Sequence, residues 1–334
     1  MSSAAQKKHV VFYEVFDEEA EALRRYMPPE MSARFVKDTL RETKDQPFVP
    51  VISLRTQSRI PPQWAGRLQG ILTRSTGYDH ILEYQRITGT SAACGYLPDY
   101  CSRAVAEHAV MVLLALLRKL PLQIGHFETF NRDGLTGREC AGKNLLVVGV
   151  GRIGRQVAVM AKACGMHVRG VDINPKASTI EYVSLAAGLA WAEAIICALP
   201  LTAATRNMFC YAAFGQSRPG AVFVNIGRGE IAPMGDLCRL MEEGRLSGVG
   251  LDVFEDEGDL ARHLRLAETQ LDSGLPDVQR LQRQKNIILT PHNAFNTKEA
   301  LERKAQKTVE SLVCFFENHK FVNPVPGKEA GGED

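Results

Sequence analysis

At 334 residues, with 45% hydrophobic and 23% charged side chains, the chain is long enough to bury two cores of ordinary globular composition. Its net charge of +2 comes from basic and acidic residues interspersed along the chain, which excludes the concentrated basic surface that a nucleic-acid or anionic-membrane partner requires. The eight cysteines make no C-x-x-C pair and no Cys/His metal spacing, which fits a reducing cytoplasm better than a disulfide scaffold. The N-terminal residues carry no signal-peptide core, and the most apolar stretch, around 109–117, is too short to span a bilayer.

In chain order, residues 9–15 predict a strand, followed by a helix capped by Asp17. Glu18 and Glu19 fall in its first turn, Arg24 and Arg25 in its last, each complementing the helix dipole, and Pro28 and Pro29 stop it. Short strands at 34–36, Val51–Leu54 and Gly70–Thr73 alternate with helices and imply a small parallel sheet with no Gly-rich phosphate loop. A turn, Arg74-Ser75-Thr76-Gly77-Tyr78-Asp79-His80, follows the last of them, with Asp79 placed to cap a helix. Residues 95–108 then lead into a long helix predicted to reach about Leu120. Glu107 and His108 are polar residues within it and are read as structural, tying loops or an interface.

The chain then changes character. Asn144-Leu145-Leu146-Val147-Val148 has the length of a buried strand and ends in Gly149-Val150-Gly151-Arg152-Ile153-Gly154, after which Val157, Met160, Ala161 and Cys164 recur at helical spacing. G-x-G-x-x-G between a strand and a helix has a mechanical meaning. Gly149 permits the tight turn, Gly151 lets a pyrophosphate approach the backbone, and Gly154 lets helix and strand pack closely. The unpaired N–H groups of the helix N-terminus complete the phosphate site. The next strand, His167–Val171, ends in Asp172, placed to accept hydrogen bonds from a ribose and to repel a 2′-phosphate, which favours NAD over NADP.

Further strands are predicted at 181–183, 194–199, Ala221–Asn225, 247–253 and 286–289, each ending in polar, Gly or Pro residues at the carboxyl end where open parallel sheets bind ligands. Between Glu257 and Asn286, Leu260, Leu264, Ala267 and Leu271 at helical spacing predict one or two surface helices. A last long helix begins at Asn296, with Glu299 in the capping-box place and Leu301, Ala305, Leu312 and Phe316 on one face. After Asn323 the Pro/Gly-rich acidic tail is expected to be disordered.

Arg228, Glu257 and His292 stand out at strand ends. Hydride transfer to a 2-oxo acid needs a cation to grip the carboxylate, ideally the two-pronged guanidinium. It also needs a protonated acid to donate to the carbonyl oxygen, and a carboxylate that keeps that acid charged if it is histidine. Taken singly, Arg228 reads equally as a loop salt bridge, Glu257 as one of three adjacent solvated acids, and His292 as a satisfied strand-end histidine.

Taken together with their surroundings, these segments resemble the D-isomer-specific 2-hydroxyacid dehydrogenases from about Gly70 to Asn323. The motifs that carry the likeness are Ser75-Thr76-Gly77-Tyr78-Asp79, Ala104-Val105-Ala106-Glu107-His108, Gly142-Lys143 before the glycine loop, Leu199-Pro200-Leu201-Thr202, Asn225-Ile226-Gly227-Arg228-Gly229, Leu251-Asp252-Val253-Phe254-Glu255-Asp256-Glu257 and Thr290-Pro291-His292. The resemblance implies that Arg228 binds substrate carboxylate and carbonyl oxygen, that His292 is the acid/base, and that Glu257 is its partner. It implies backbone N–H groups of Thr76 and Gly77 at the carboxylate and Tyr100 and Phe295 at the substrate. For NAD it implies Gly149, Gly151, Arg152, Ile153, Gly154, Asp172, Leu199, Pro200, Thr205, Ile226 and Gly227, with Asp252 at the nicotinamide end, and no metal.

The same resemblance implies an α/β protein of two domains. A Rossmann dinucleotide-binding domain would occupy 103–295, and a smaller flavodoxin-like substrate domain, discontinuous in sequence, would take 1–102 and 296–334. Helices near 101–120 and 297–317 would act as hinges, and the chain would form a homodimer through the dinucleotide domain. Tyr100 and the long segment after Glu257 point to the D-lactate dehydrogenase-like branch, hence to a pyruvate/D-lactate-like pair. Asn296 stands where that branch often has an aromatic, which would make the pocket roomier or more polar. A second reading is an NAD-sensing binding protein, such as a corepressor, on the same fold.

Overall fold

The computed structural model of the chain describes residues 8–43, 49–266 and 275–326. It divides into two compact units, one of Met1–Cys101 with Asn296–Asp334 and the other of Ser102–Phe295. The first unit is therefore assembled from both ends of the sequence, with the second inserted between them.

In the first unit, β1 (Lys8–Phe12), β2 (Met31–Phe35), β3 (Val51–Leu54), β4 (Gly70–Thr73) and β5 (Ala93–Gly95) form a parallel sheet in the order β2-β1-β3-β4-β5. This is the flavodoxin-like order, and it reverses between β1 and β3. Every residue of β3 and β4 is buried, which explains their continuous apolar runs in place of alternation. β1 stops at Phe12 because Glu14 adopts a left-handed backbone (φ 58). β2 starts at Met31, earlier than its polar residues suggest, because pairing from Lys8↔Met31 onward overrides their weak strand preference. β5 is too short and too plain (Ala, Cys, Gly) to be recognised by pattern.

Two predicted caps fall one place out. Asp17 and Asp79 are the first residues of their helices, Asp17–Tyr26 and Asp79–Thr88, behind Phe16 and Tyr78 at the cap positions. Both acids therefore serve the helix dipole without capping it. The final helix, Lys298–Asn318, is capped by Thr297, whose hydroxyl accepts from the Ala300 N–H at 3.2 Å. Thr297 thus displaces Asn296 from the cap and puts Glu299 outside the capping-box place. Its inward face carries Ala305, Leu312 and Phe315, so Phe315 takes the core position expected of Phe316.

In the second unit, β6 (Asn144–Val148), β7 (His167–Val171), β8 (Glu181–Tyr182), β9 (Ala194–Cys197), β10 (Ala221–Asn225), β11 (Leu246–Leu251) and β12 (Ile287–Leu289) are all parallel. Their order is β12-β11-β10-β9-β6-β7-β8, with the reversal between β6 and β9 that defines a Rossmann-like sheet. One core face packs Leu146, Val148, Ile195 and Leu237 around the aromatic trio Phe209, Phe214 and Phe223, whose ring centroids lie 5.0 to 5.6 Å apart. The helix Ser102–Leu117 ends short of Leu120 because Lys119 turns left-handed (φ 53), and a separate helix, Leu120–Gly125, restarts with Pro121 in its first turn.

The segment after Glu257 contains helices Glu257–Leu266 and Leu275–Gln282, with Leu260 buried and Leu264 exposed. Ala267, Leu271 and the acidic tail past residue 326 lie outside the described residues. Among the described residues no helix is long and apolar enough to cross a membrane, and no cluster of His, Cys, Asp and Glu could hold a metal.

Candidate active site

The glycine loop leaves β6 at the point where the strand order reverses. Gly149 has φ 91, and a Cβ on Gly154 would lie 2.0 Å from the Gly149 carbonyl oxygen, so the helix Arg152–Ala163 is seated directly on the turn. A Cβ on Gly151 would meet nothing within 4 Å, leaving open space at the helix N-terminus beside exposed Arg152 and half-buried Ile153. That is the room a pyrophosphate needs to reach backbone N–H groups. Asp172 follows β7, and its Oδ2 accepts from the Val150 N–H at 2.6 Å, its Oδ1 from the Asn174 N–H at 2.8 Å. Each oxygen keeps a further lone pair for a ribose hydroxyl. Ile173 beside it is wholly exposed.

On the other side of the reversal, the loop after β9 is held by hydrogen bonds within itself. The Thr205 hydroxyl donates to the Pro200 carbonyl at 2.7 Å and accepts from the Thr202 N–H at 2.8 Å, which fixes Leu199 and Pro200 beside the glycine loop's strand. The open cradle at Gly151, the oriented Asp172 and this loop suit NAD. Asp172→Ser should weaken NADH binding and narrow the preference against NADPH; comparing kcat/KM for the two cofactors checks this, and equal use of both by the unmodified enzyme would contradict it.

β10, β11 and β12 are neighbours, paired as Asn225↔Leu251 and Leu251↔Leu289, so the residues that follow them emerge side by side. After β10, the buried Asn225 side chain accepts from the Gly227 N–H at 3.0 Å and donates to the Arg228 carbonyl at 2.8 Å. This locks Ile226 and Gly227 and leaves Arg228 extended and half-buried, with Nη1 donating to the Gly227 carbonyl at 2.8 Å. Gly229 packs so tightly that a Cβ there would fall 1.8 Å from the Phe254 carbonyl carbon, tying the Arg228 loop to the one that follows β11.

That following loop resolves the three adjacent acids. Glu255 Oε2 accepts from the Met234 N–H at 2.7 Å, serving the start of the helix Met234–Glu242, and burial pushes its carboxyl above the usual range. Asp256 makes the left-handed turn (φ 46). Glu257 meets the histidine: its Oε1 and Oε2 lie 2.8 and 2.9 Å from His292 Nδ1. An ionised carboxylate only accepts, so Nδ1 carries the proton of this bond and Nε2 is the nitrogen left for other chemistry.

His292 itself sits at φ 49, a strained backbone for a non-glycine residue, held by its neighbours. Asp252 Oδ1 accepts from the Asn293 N–H at 2.8 Å and from the Thr290 hydroxyl at 2.6 Å, and Oδ2 accepts from the Ala294 N–H at 3.0 Å. His108 Nε2 lies 3.2 Å from the Thr290 hydroxyl and 3.8 Å from Asp252, so it ties strand-end loops, while Glu107 pairs with Arg103 on the same helix at 2.5 Å. Phe295 is buried next in sequence. The clamping roles of Asn225 and Thr290 are visible in sequence only as members of motifs.

In the first unit, the turn after β4 is stitched by side chains. Ser75 Oγ donates to the Gly77 carbonyl at 2.6 Å, Thr73 Oγ1 lies 3.0 Å from His80 Nε2, and Thr76 Oγ1 donates to the Leu97 carbonyl at 3.3 Å. Tyr100 is buried, its carbonyl accepting from Arg303 Nε at 2.8 Å.

The profile of the family described as "D-isomer specific 2-hydroxyacid dehydrogenase, NAD binding domain" matches residues 110–294, more than half of the chain. The chain belongs to the D-isomer-specific 2-hydroxyacid dehydrogenase family. Among members of this family, the chain is 30% identical over 249 residues to a D-specific alpha-keto acid dehydrogenase of Enterococcus faecalis, covering 73% of this chain and 75% of that one. It is 31% identical over 224 residues to a D-lactate dehydrogenase of Escherichia coli, covering 65% and 67%. Its fold is similar to the crystal structure of D-lactate dehydrogenase from Aquifex aeolicus complexed with NAD and lactic acid, with a TM-score of 0.81, 28% identity, and coverage of 95% of this chain and 100% of that one. This family member is thus an NAD-dependent oxidoreductase that interconverts 2-oxo and D-2-hydroxy acids, of the D-lactate dehydrogenase-like branch.

Proposed function

We propose that the chain reduces a small 2-oxo acid of the pyruvate class to its D-2-hydroxy acid with NADH, using His292 as the acid, Glu257 as its charge partner and Arg228 as the carboxylate clamp. The observation that carries this is the His292–Glu257 contact through both carboxylate oxygens, made by the residues that follow β12 and β11, the latter paired with β10, which leads to Arg228. The nicotinamide supplies the hydride. As it reaches the carbonyl carbon, negative charge grows on the carbonyl oxygen, and protonated His292 gives that oxygen the proton of Nε2. The Glu257 carboxylate accepts from Nδ1, favours the imidazolium before transfer, and keeps Nε2 presented afterwards. Arg228 offers a planar donor fork to the carboxylate and the carbonyl oxygen. The N–H groups of Thr76 and Gly77, with Tyr100 and Phe295, are assigned to the substrate, and Asp252 to the nicotinamide end through the turn that it clamps.

The unit assembled from both chain ends is assigned the substrate role, and exposed Asn296 favours acids with a side chain larger or more polar than pyruvate's methyl. A homodimer through the dinucleotide unit is supported by exposed Met111, Ile124, Phe127 and Phe130. Cytoplasmic residence is supported by eight free thiols. Steady-state assays with NADH and a panel of 2-oxo acids test the reading: turnover giving the D product supports it, and turnover on none of them favours a cofactor-sensing role.

A further inference from the structure

Directly behind the turn assigned to the substrate carboxylate lies a sealed charge cluster that the chemistry above does not use. Arg74, the residue between β4 and Ser75, has no exposed surface. Its Nε donates to Glu19 Oε1 at 2.9 Å, its Nη1 to Ser53 Oγ at 3.1 Å, and its Nη2 to the Tyr13 carbonyl at 2.7 Å. One guanidinium thus ties the carboxyl end of β4 to β3, to the segment leaving β1 and to the helix Asp17–Tyr26. Lys304, from the middle of the helix Lys298–Asn318 and also fully buried, brings its Nζ to 2.6 Å from the same Glu19 oxygen. The Lys304 ammonium lies 5.9 Å from the centre of the Tyr100 ring, and the flanking residues of its helix hold the same segment: Arg303 Nε donates to the Tyr100 carbonyl at 2.8 Å and Lys307 Nζ to the Pro98 carbonyl at 3.3 Å.

Such a cluster is an expensive way to make a core. Two cations and one anion are withdrawn from water, and packed apolar residues would usually be as stable or more so. The groups oppose one another: burial lowers the Lys304 pKa against the pull of Glu19, while Arg74 and Lys304 together outweigh the effect of burial on Glu19 and lower its pKa. What the cluster achieves is geometric. It joins the Ser75–Gly77 turn, through Arg74, to the Pro98–Tyr100 segment, through Lys304, with Glu19 as the shared link.

We propose that Glu19, Arg74 and Lys304 are positioning residues that set the spacing between the Thr76-Gly77 turn and Tyr100, and so determine how well the 2-oxo acid's carboxylate is bound. This rests on the reading that these two segments meet the substrate. Loss of the shared link leaves the two segments joined near Leu97, whose N–H donates to the Ser75 carbonyl at 3.1 Å and whose carbonyl accepts from the Thr76 hydroxyl at 3.3 Å, but removes the tie between Arg74 and the Tyr100 side. A displacement well below an ångström is enough to weaken a carboxylate hydrogen bond.

The test is Lys304→Met, which keeps the length and apolar stem of the side chain and removes the ammonium. Steady-state reduction of pyruvate with NADH is measured with it, together with NADH binding by fluorescence, the melting temperature, and Tyr100→Phe in parallel. KM for pyruvate should rise about tenfold, the scale of coupling within a contacting network. NADH affinity should stay within about twofold of the unmodified enzyme, because the dinucleotide unit is untouched, while the melting temperature should fall, since buried Glu19 loses one of its cations and keeps Arg74. A role in stability alone would lower the melting temperature and leave KM unmoved. If Lys304→Met does not fold, Glu19→Gln, which keeps an acceptor for Arg74, should give the same selective rise in KM. An unchanged KM in a folded variant overturns the proposal by itself where Tyr100→Phe raises KM. Where neither variant moves KM, the assignment of this turn and Tyr100 to the substrate falls with it.

Discussion

His292→Ala should lower kcat for 2-oxo acid reduction by about 100- to 10,000-fold at every pH, the range that a positioned general acid supplies. The size of the loss follows from what remains. Glu257 cannot take over, because its two oxygens face Nδ1 of the missing ring and an ionised carboxylate has no proton to give. Glu255 serves the Met234 N–H and is turned elsewhere. Hydride arriving at the carbonyl carbon would then leave an alkoxide to be protonated from water. NADH binding should be little affected, since the glycine loop and Asp172 belong to other strand ends. Stopped-flow reduction together with an NADH titration checks both halves of this prediction. A variant retaining more than about a tenth of the unmodified rate would be far outside the expected range for general-acid loss and would remove His292 from the reaction.

Arg228→Lys should lower kcat/KM by at least about 30- to 150-fold, corresponding to about 2–3 kcal/mol of lost transition-state binding. Charge is conserved in this change, so the loss measures geometry. Arg228 is extended, its carbonyl is fixed by the Asn225 amide, and its Nη1 is oriented by the Gly227 carbonyl at 2.8 Å, all of which aim a planar fork of donors. A lysine on the same backbone presents a single rotatable ammonium that cannot hold the carboxylate and the developing oxyanion in one plane. The effect should fall on both kcat and KM, because both ground-state and transition-state contacts are cut. A change of less than about threefold, below the worth of one charged hydrogen bond, would place the substrate carboxylate on another group.

Much of this architecture is legible in the sequence because the signals are local. The switch from a continuous apolar run to helical spacing at Gly149 marks strand, turn and helix together, and Asp172 lies at the end of the very next strand. Arg228, Glu257 and His292 are legible because each follows an apolar strand by a few residues, and parallel pairing brings those ends side by side. What escapes is whatever depends on distant partners. Nothing local separates Glu257 from Glu255 and Asp256; only the Met234 N–H and the turn at Asp256 do. Glu19 reads as an ordinary first-turn acid and Lys304 as an ordinary helix cation, yet a fold that brings positions 19, 74 and 304 together buries them both. The caps at residues 17, 79 and 296 fail for a related reason, since a polar residue beside a helix start can serve either as cap or as first-turn charge, and the entering chain decides which.

The kcat for 2-oxo acid reduction, measured on the unmodified enzyme, on Glu257→Gln and on His292→Ala, tests the acid pair most directly. Transfer needs the Nε2 proton presented to the carbonyl oxygen by a ring held through Nδ1. The glutamine keeps a hydrogen-bond acceptor near Nδ1 but removes the negative charge beside the ring. The account predicts a partly active variant, slower than the unmodified enzyme and faster than His292→Ala, with NADH binding unchanged. An unchanged kcat would contradict it, because the carboxylate 2.8 Å from Nδ1 would then have no hold on the group that the reaction uses.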